Sequence, residues 1–206
     1  MIHLHQMVKE ASMMLEGMHT AAEKELTQII LPYWIKKMPD AEGGGFYGQI
    51  DGRDNVVPGA PKGAILNARI LWSFTAAYIK LRDPMYLEMA TRARDYIFRY
   101  FFDEEHGGTY WCLKSTGEPL DTKKQIYSQA FFIYALSTYH AATGDRESLD
   151  RAIELYRLIE EHSFDGERGG YFEAFTREWG EIADLRLSAK DANEKKTMNT
   201  HLHVLE

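Results

Sequence analysis

The sequence predicts an all-α fold, an α/α barrel of helical hairpins, of which these 206 residues form about the first half and a single domain. Three observations lead there: a motif recurring at near-constant spacing, two kinds of helix alternating between its copies, and a last helix with no stop signal. The motif, Asp-x-x-x-Gly-Gly-x-aromatic, occurs as Asp40 with Gly44, Gly45 and Tyr47, as Asp103 with Gly107, Gly108 and Tyr110, and as Asp165 with Gly169, Gly170 and Phe172. By subtraction the copies stand 63 and 62 residues apart. The second and third extend upstream without a gap, Asp83 matching Asp145, Ala90 matching Ala152, Ile97 matching Ile159 and Phe102 matching Phe164. A repeat of this length holds two helices and a short strand pair.

Taken in order, the chain opens with a stretch that reads as one long helix over about Gln6 to Trp34. Pro61-Lys62-Gly63 then reads as the opening of a helix. Ala64 to Leu81 and Ile126 to Tyr139 are apolar nearly all round, as in helices buried on both sides. Tyr86, Met89, Ala90, Ala93, Ile97 and Tyr100 instead recur at helical spacing between charged residues, which marks a helix with one wet face. Asp83 and Pro84 start it, and Asp145 caps its equivalent around Leu149 to Ile159. Alternating inner and outer helices close into two concentric rings around a funnel, with an open superhelix as the competitor. The Gly-Gly copies lack the Lys-Ser/Thr of a phosphate loop and read as turns in short hairpins, since glycine tolerates positive φ. The final MNTHLHVLE begins another inner helix and reaches Glu206 without a capping signal, so an apolar edge is expected, with possible closure by a second copy.

Composition narrows the function classes. Lys and Arg total 24 against 31 Asp and Glu, a formal charge of -7 with no basic stripe, which argues against nucleic acid. Lys9 and Glu10 interrupt what a secretory signal would need, and no stretch is apolar for long enough to span a bilayer, so a soluble, cytoplasmic protein without membrane partners is expected. The one cysteine, Cys112, lies in TYWCL and is expected to be buried; no His or Cys cluster has metal-ligand spacing.

The densest polar constellation on apolar helices is Arg69, Tyr127, Asn199 and His203, each near the start of an inner helix. Arg69, among Ala68, Ile70 and Leu71, needs an anion or a set of acceptors if buried. Asn199 and His203, four residues apart, project from one face, whereas His201 points roughly 200° away from His203. A lone histidine or tyrosine on such a helix is also compatible with plain core packing.

The segment LSAKDANEKKTMNTHLHVLE, with GGGFYGQID, KGAILNARILWSF and YSQAFFIYALSTY upstream, resembles the N-acylglucosamine 2-epimerase family and its cellobiose 2-epimerase branch. The resemblance covers nearly the whole chain and the first half of the family's length, and it implies a six-hairpin (α/α)6 barrel. It further implies ring opening of a reducing-end sugar, removal of the C2 proton, an enediolate-like intermediate and reprotonation from the other face, without cofactor or metal. By motif, Arg69, Tyr127, Asn199 and His203 correspond to residues that hold the sugar and stabilise its oxygens. The family's two acid/base histidines lie beyond Glu206, so His203 has a supporting catalytic role and the chain alone is expected to be inactive. Trp111 and Trp179 are candidates for stacking on sugar rings. The run Lys190, Asp191, Glu194, Lys195 and Lys196 reads as a solvated loop or, by resemblance, as part of the funnel mouth. An aldose-ketose isomerase on the same fold, and a glycoside hydrolase using carboxylates such as Asp40, Asp103 and Asp165, are the alternatives. The recurrence of those aspartates in every repeat favours a structural role for them.

Overall fold

A computed structural model describes the backbone of residues 2–206 and the side chains of residues 7, 9 and 11–206. The chain divides into two compact units, Met1–Pro39 and Asp40–Glu206. In the first, α1 (Ile2–Glu25) runs into a π-helical turn (Leu26–Ile30) and then α2 (Leu31–Lys37). The single helix expected over Gln6 to Trp34 is thus interrupted. Pro32 explains the break: it has no N–H to donate and its ring crowds the preceding turn, so the ladder widens by a residue just before it.

The second unit carries the repeats. An inner row, α3 (Ala64–Leu81), α5 (Ile126–Thr143) and α7 (Met198–Leu205), packs side by side, with α4 (Pro84–Tyr100) against α3 and α6 (Arg146–His162) against α5. The outer helices start as their sequences require. The carboxylates of Asp83 and Asp145 accept from the backbone N–H groups of Met85 and Ser148. On α4 the buried face is Tyr86, Met89, Ala90, Ala93, Tyr96 and Ile97, so Tyr96 takes the place expected of Tyr100. Phe102 and its repeat mate Phe164 differ sharply, at 6% and 48% exposed. The Arg151 guanidinium from α6 lies 4.6 Å over the Phe102 ring, and among the described residues no later hairpin does this for Phe164.

Short strands knit the repeats together. β1 (Lys62–Gly63), β2 (Cys112–Leu113) and β3 (Pro119–Asp121) form one sheet; β4 (Lys124–Gln125) and β5 (Ala174–Phe175) form another. Lys62 pairs with Leu113 and, one repeat later, Lys124 pairs with Phe175, so the register repeats with the sequence. Cys112, expected to be buried, is half-buried at this sheet, and burial pushes its thiol pKa up.

Each Gly-Gly copy forms the same turn. The aspartate N–H donates to the second glycine's carbonyl, and the first glycine's N–H donates back to the aspartate carbonyl, at 2.8–3.1 Å throughout. Both glycines have positive φ in all three copies, a region costly for residues with a Cβ. The aspartate side chain also accepts from the N–H groups two and three residues on. The remaining carboxylate oxygen meets a lysine that sequence reading did not connect to it: Lys62 with Asp40 and Lys124 with Asp103, both at 2.8 Å, and Lys196 with Asp165. Lys196 therefore does not belong to a solvated loop. Each lysine stands two residues before an inner helix, so a buried or half-buried ion pair ties each turn to the helix that follows. Among the described residues, no helix is long and apolar enough to cross a membrane.

Candidate active site

Aligned on Lys62, Lys124 and Lys196, the inner helices show which positions do what. Five residues on are Asn67, Gln129 and His201. Gln129 clamps the second Gly-Gly turn, its Oε1 accepting from the Thr109 N–H and its Nε2 donating to the Thr109 carbonyl, both at 3.0 Å. His201 does the same work in the third: its Nε2 accepts from the Tyr171 N–H at 2.9 Å, and its Nδ1 lies 2.6 Å from the Thr197 carbonyl. Since Nε2 is the acceptor, Nδ1 must carry the proton. Asn67 is one methylene shorter. Its Nδ2 reaches the Gly63 carbonyl while its buried Oδ1 has no partner.

Seven residues on are Arg69, Phe131 and His203, and these three converge. The Arg69 guanidinium lies 4.8 Å from the centroid of the Phe131 ring, and the His203 ring lies 4.3 Å from that same centroid. Tyr127, on the first turn of α5, joins them. Its ring meets His203 edge-on at 4.8 Å, and its hydroxyl accepts from Arg69 Nη2 at 3.4 Å. Ten residues on, Trp72 from α3 and Tyr134 from α5 stack at 5.4 Å.

Arg69 differs from expectation in one respect: it is exposed, not buried. Among the described residues its one polar contact is the Tyr127 hydroxyl, and no carboxylate pairs with it. The guanidinium charge is therefore available to a ligand oxygen while its plane is supported by an aromatic face. His203 is half-buried, and the Glu206 carboxylate lies 2.8 Å from its Nδ1, which directs any neutral imidazole's proton to Nδ1 and leaves Nε2 as the basic nitrogen. Asn199 is exposed one turn before His203, and its amide makes no hydrogen bond among the described residues. A cleft of about 410 Å³ opens between α5, α6 and α7, with Tyr134, Tyr156, His203 and Glu206 among its lining residues.

The two tryptophans separate. Trp179 packs: its Nε1 donates to the His106 carbonyl at 2.8 Å, its ring stacks on His162 at 4.5 Å, and a Cβ at Gly108 would stand 2.8 Å from it. Trp111 is half-buried with the Lys123 ammonium 5.2 Å over its ring. Phe131 lies in the stretch Ile126 to Tyr139, apolar nearly all round, so its residue type gives no signal; the lysine alignment alone places it in register with Arg69 and His203. Among the described residues no group of three His, Cys, Asp or Glu side chains could hold a metal ion.

The family model described as N-acylglucosamine 2-epimerase (GlcNAc 2-epimerase) matches residues 45–200. A cellobiose 2-epimerase of Bacteroides fragilis is 61% identical over 184 residues, which is 89% of this chain and 47% of that protein. One from Eubacterium cellulosolvens is 43% identical over 183 residues, 89% of this chain and 44% of that protein. The solved cellobiose 2-epimerase of Bacillus thermoamylovorans superposes with a TM-score of 0.88 at 41% identity, over 92% of this chain and 49% of that one. The fold is accordingly that of an α/α barrel, of which the chain spans about half the length of the relatives it matches. With a family match over most of its residues, the chain belongs to the N-acylglucosamine 2-epimerase family.

Proposed function

We propose that this chain forms one wall of the active site of a sugar 2-epimerase acting on the reducing end of a cellobiose-type disaccharide, converting a glucose end into a mannose end. The observation that carries it is the convergence of Arg69, Tyr127 and His203 on Phe131, from the starts of three successive inner helices. Names borne by the relatives supply the substrate class.

The chemistry asked of this wall follows from the reaction. After ring opening, removal of the C2 proton places negative charge on O1, and preorganised donors stabilise it best. Arg69 supplies two-pronged donation without a competing carboxylate, and Asn199 an amide. The Tyr127 hydroxyl, held by Arg69, presents a further group to a sugar oxygen. His203, through Nε2, holds a hydroxyl or relays a proton in a supporting role. Inversion at C2 requires acid/base groups on both faces of the enediolate, which one imidazole does not supply, so the chain alone is inactive in this reading. By itself it also self-associates through exposed apolar side chains such as Tyr156, Phe164, Leu202 and Leu205.

The test is a graft. This chain replaces the matched segment of the Bacteroides fragilis relative, and the hybrid is assayed on cellobiose. Activity that Arg69→Ala lowers by about 100-fold or more supports the reading, in keeping with loss of an oxyanion donor. A folded, active hybrid indifferent to Arg69→Ala would remove Arg69 from the site.

A further inference from the structure

Glu173 is 1% exposed, and both its carboxylate oxygens are spent on the first turn of α7. Oε1 accepts from the Thr197 N–H at 2.7 Å and Oε2 from the Thr200 hydroxyl at 2.7 Å. Its backbone reaches two more segments. The N–H donates to the Lys195 carbonyl at 3.0 Å, and the carbonyl accepts from the Ile126 N–H at 2.9 Å and from Gln125 Nε2 at 3.2 Å. One residue thus joins the start of α5, which carries Tyr127 and Phe131, to the start of α7, which carries Asn199 and His203.

The repeat does not require a carboxylate there. The preceding repeat has Trp111 at the equivalent position, whose carbonyl accepts from the Ala64 N–H as that of Glu173 accepts from Ile126. On α5 the residue matching Thr200 is Ser128, and its hydroxyl turns back to the Gln125 carbonyl. A buried carboxylate costs several kcal/mol of desolvation unless its charge is met. Among the described residues no cation pairs with Glu173, so hydrogen bonds from the helix start, with its partial positive charge, meet it instead. That arrangement occurs at the one inner helix that bears the His203 imidazole. At the same first turn the Thr197 hydroxyl accepts from the Thr200 N–H and His201 Nε2 accepts from the Tyr171 N–H. The rotation of α7 is therefore set at its first turn, and a slip of one residue, about 100°, would carry His203 off the Phe131 ring.

We propose that Glu173 is a positioning residue of the sugar site: by tying the first turn of α7 to the start of α5, it holds His203 against Phe131 and Tyr127. Its role in turnover rests on the epimerase reading; its hold on His203 does not. The chain itself provides the first test, through the ring-proton NMR signals of His203, which the Phe131 and Tyr127 rings displace. In Glu173→Ala that displacement collapses and amide protection over residues 197–205 falls, while α3 to α6 stay protected. Glu173→Gln restores both, because its amide oxygen still accepts from Thr197 and the Thr200 hydroxyl can turn to accept from its Nε2. Should Glu173→Ala fail to fold, Thr200→Val, which removes one donor alone, must displace His203 in the same direction. Unmoved His203 signals in either variant, or a Gln variant as disruptive as Ala, overturn the proposal. In the grafted enzyme, Glu173→Ala lowers kcat about 100-fold with little change in KM, as misplacement of a reacting group by an ångström can do. Unchanged kcat there overturns the catalytic role. An unmutated graft without activity counts against the epimerase reading, and the NMR outcome then decides the Glu173 linkage by itself.

Discussion

His203 and Arg69 share one aromatic partner: the Phe131 ring lies 4.3 Å from the imidazole centroid and 4.8 Å from the guanidinium carbon. Phe131 is 8% exposed, so this ring is at once core and support for two polar groups. Replacing it separates the two roles. Phe131→Ala leaves a cavity and is expected to cost about 3–5 kcal/mol in denaturant unfolding. Phe131→Leu keeps most of the volume and costs about 1 kcal/mol, yet removes the flat surface under Arg69 and His203. In the graft it should lower kcat by about ten-fold or more, reflecting looser orientation of both groups. Wild-type kcat in Phe131→Leu would reduce the ring to packing.

The Asp103–Lys124 pair is the most enclosed of the three turn-to-helix ion pairs, with both side chains fully shielded. Arg177 adds two hydrogen bonds to the same carboxylate, at 2.8 and 2.9 Å. Asp103→Ala strands a buried ammonium and is expected to cost about 3–5 kcal/mol, measured by denaturant unfolding. Asp165→Ala, at the half-exposed third pair, should cost clearly less. Equal losses at the two sites would contradict the burial argument.

The same carboxylate sets an acid limit. Burial alone would push the Asp103 pKa up, but hydrogen bonds from Arg177 and Lys124 outweigh it and hold the group well below the usual carboxylate range. Asp165 is held down to about 2, mainly by the Lys196 hydrogen bond. Folded-state values below the unfolded value of about 3.9 mean that the stabilisation is complete above that pH and is lost as pH falls through the folded values. Melting temperature should therefore fall steeply below about pH 4, and Asp103→Asn should flatten that fall while lowering the plateau above it. A steeper acid fall in Asp103→Asn would reverse the assigned sign.

Gln129 satisfies both backbone polar groups of Thr109, while Asn67 at the same repeat position leaves its Oδ1 unpaired. Shortening Gln129 to Asn should strand the buried Thr109 N–H and cost about 1–3 kcal/mol. Hydrogen exchange should locate the loss, with the Thr109 amide exchanging faster in the variant. An amide as protected as in the parent chain would mean that another acceptor takes over.

Much of this was legible in the sequence because the repeat is local in pattern. The helices α3 to α6, the aspartate caps of α4 and α6 and the positive-φ glycines all follow from periodicity and residue type, and the structure places them within a few residues of expectation. The π turn before Pro32 was hidden, since helical periodicity continues across it while only the hydrogen-bond ladder changes. The lysine partners of the turn aspartates were hidden for another reason: Lys196 follows its aspartate by 31 residues, whereas Lys62 and Lys124 follow theirs by 22 and 21. That longer insertion masked the third copy and, with it, the register of Arg69, Phe131 and His203. Glu173 carried no sequence signal at all, because a lone glutamate is ordinarily a surface residue and its value here comes from what the fold brings to it.

The claim that this wall serves C2 epimerisation is tested most directly by the position of solvent label. The grafted enzyme is given cellobiose in heavy water, and the products are read by NMR and mass spectrometry. Removal of the proton from one face of C2 and its return on the other predicts a mannose-ended disaccharide with deuterium at C2, formed early and abolished by Arg69→Ala. A ketose as the main early product, deuterium at C1 alone, or cleavage of the glycosidic bond would contradict the account.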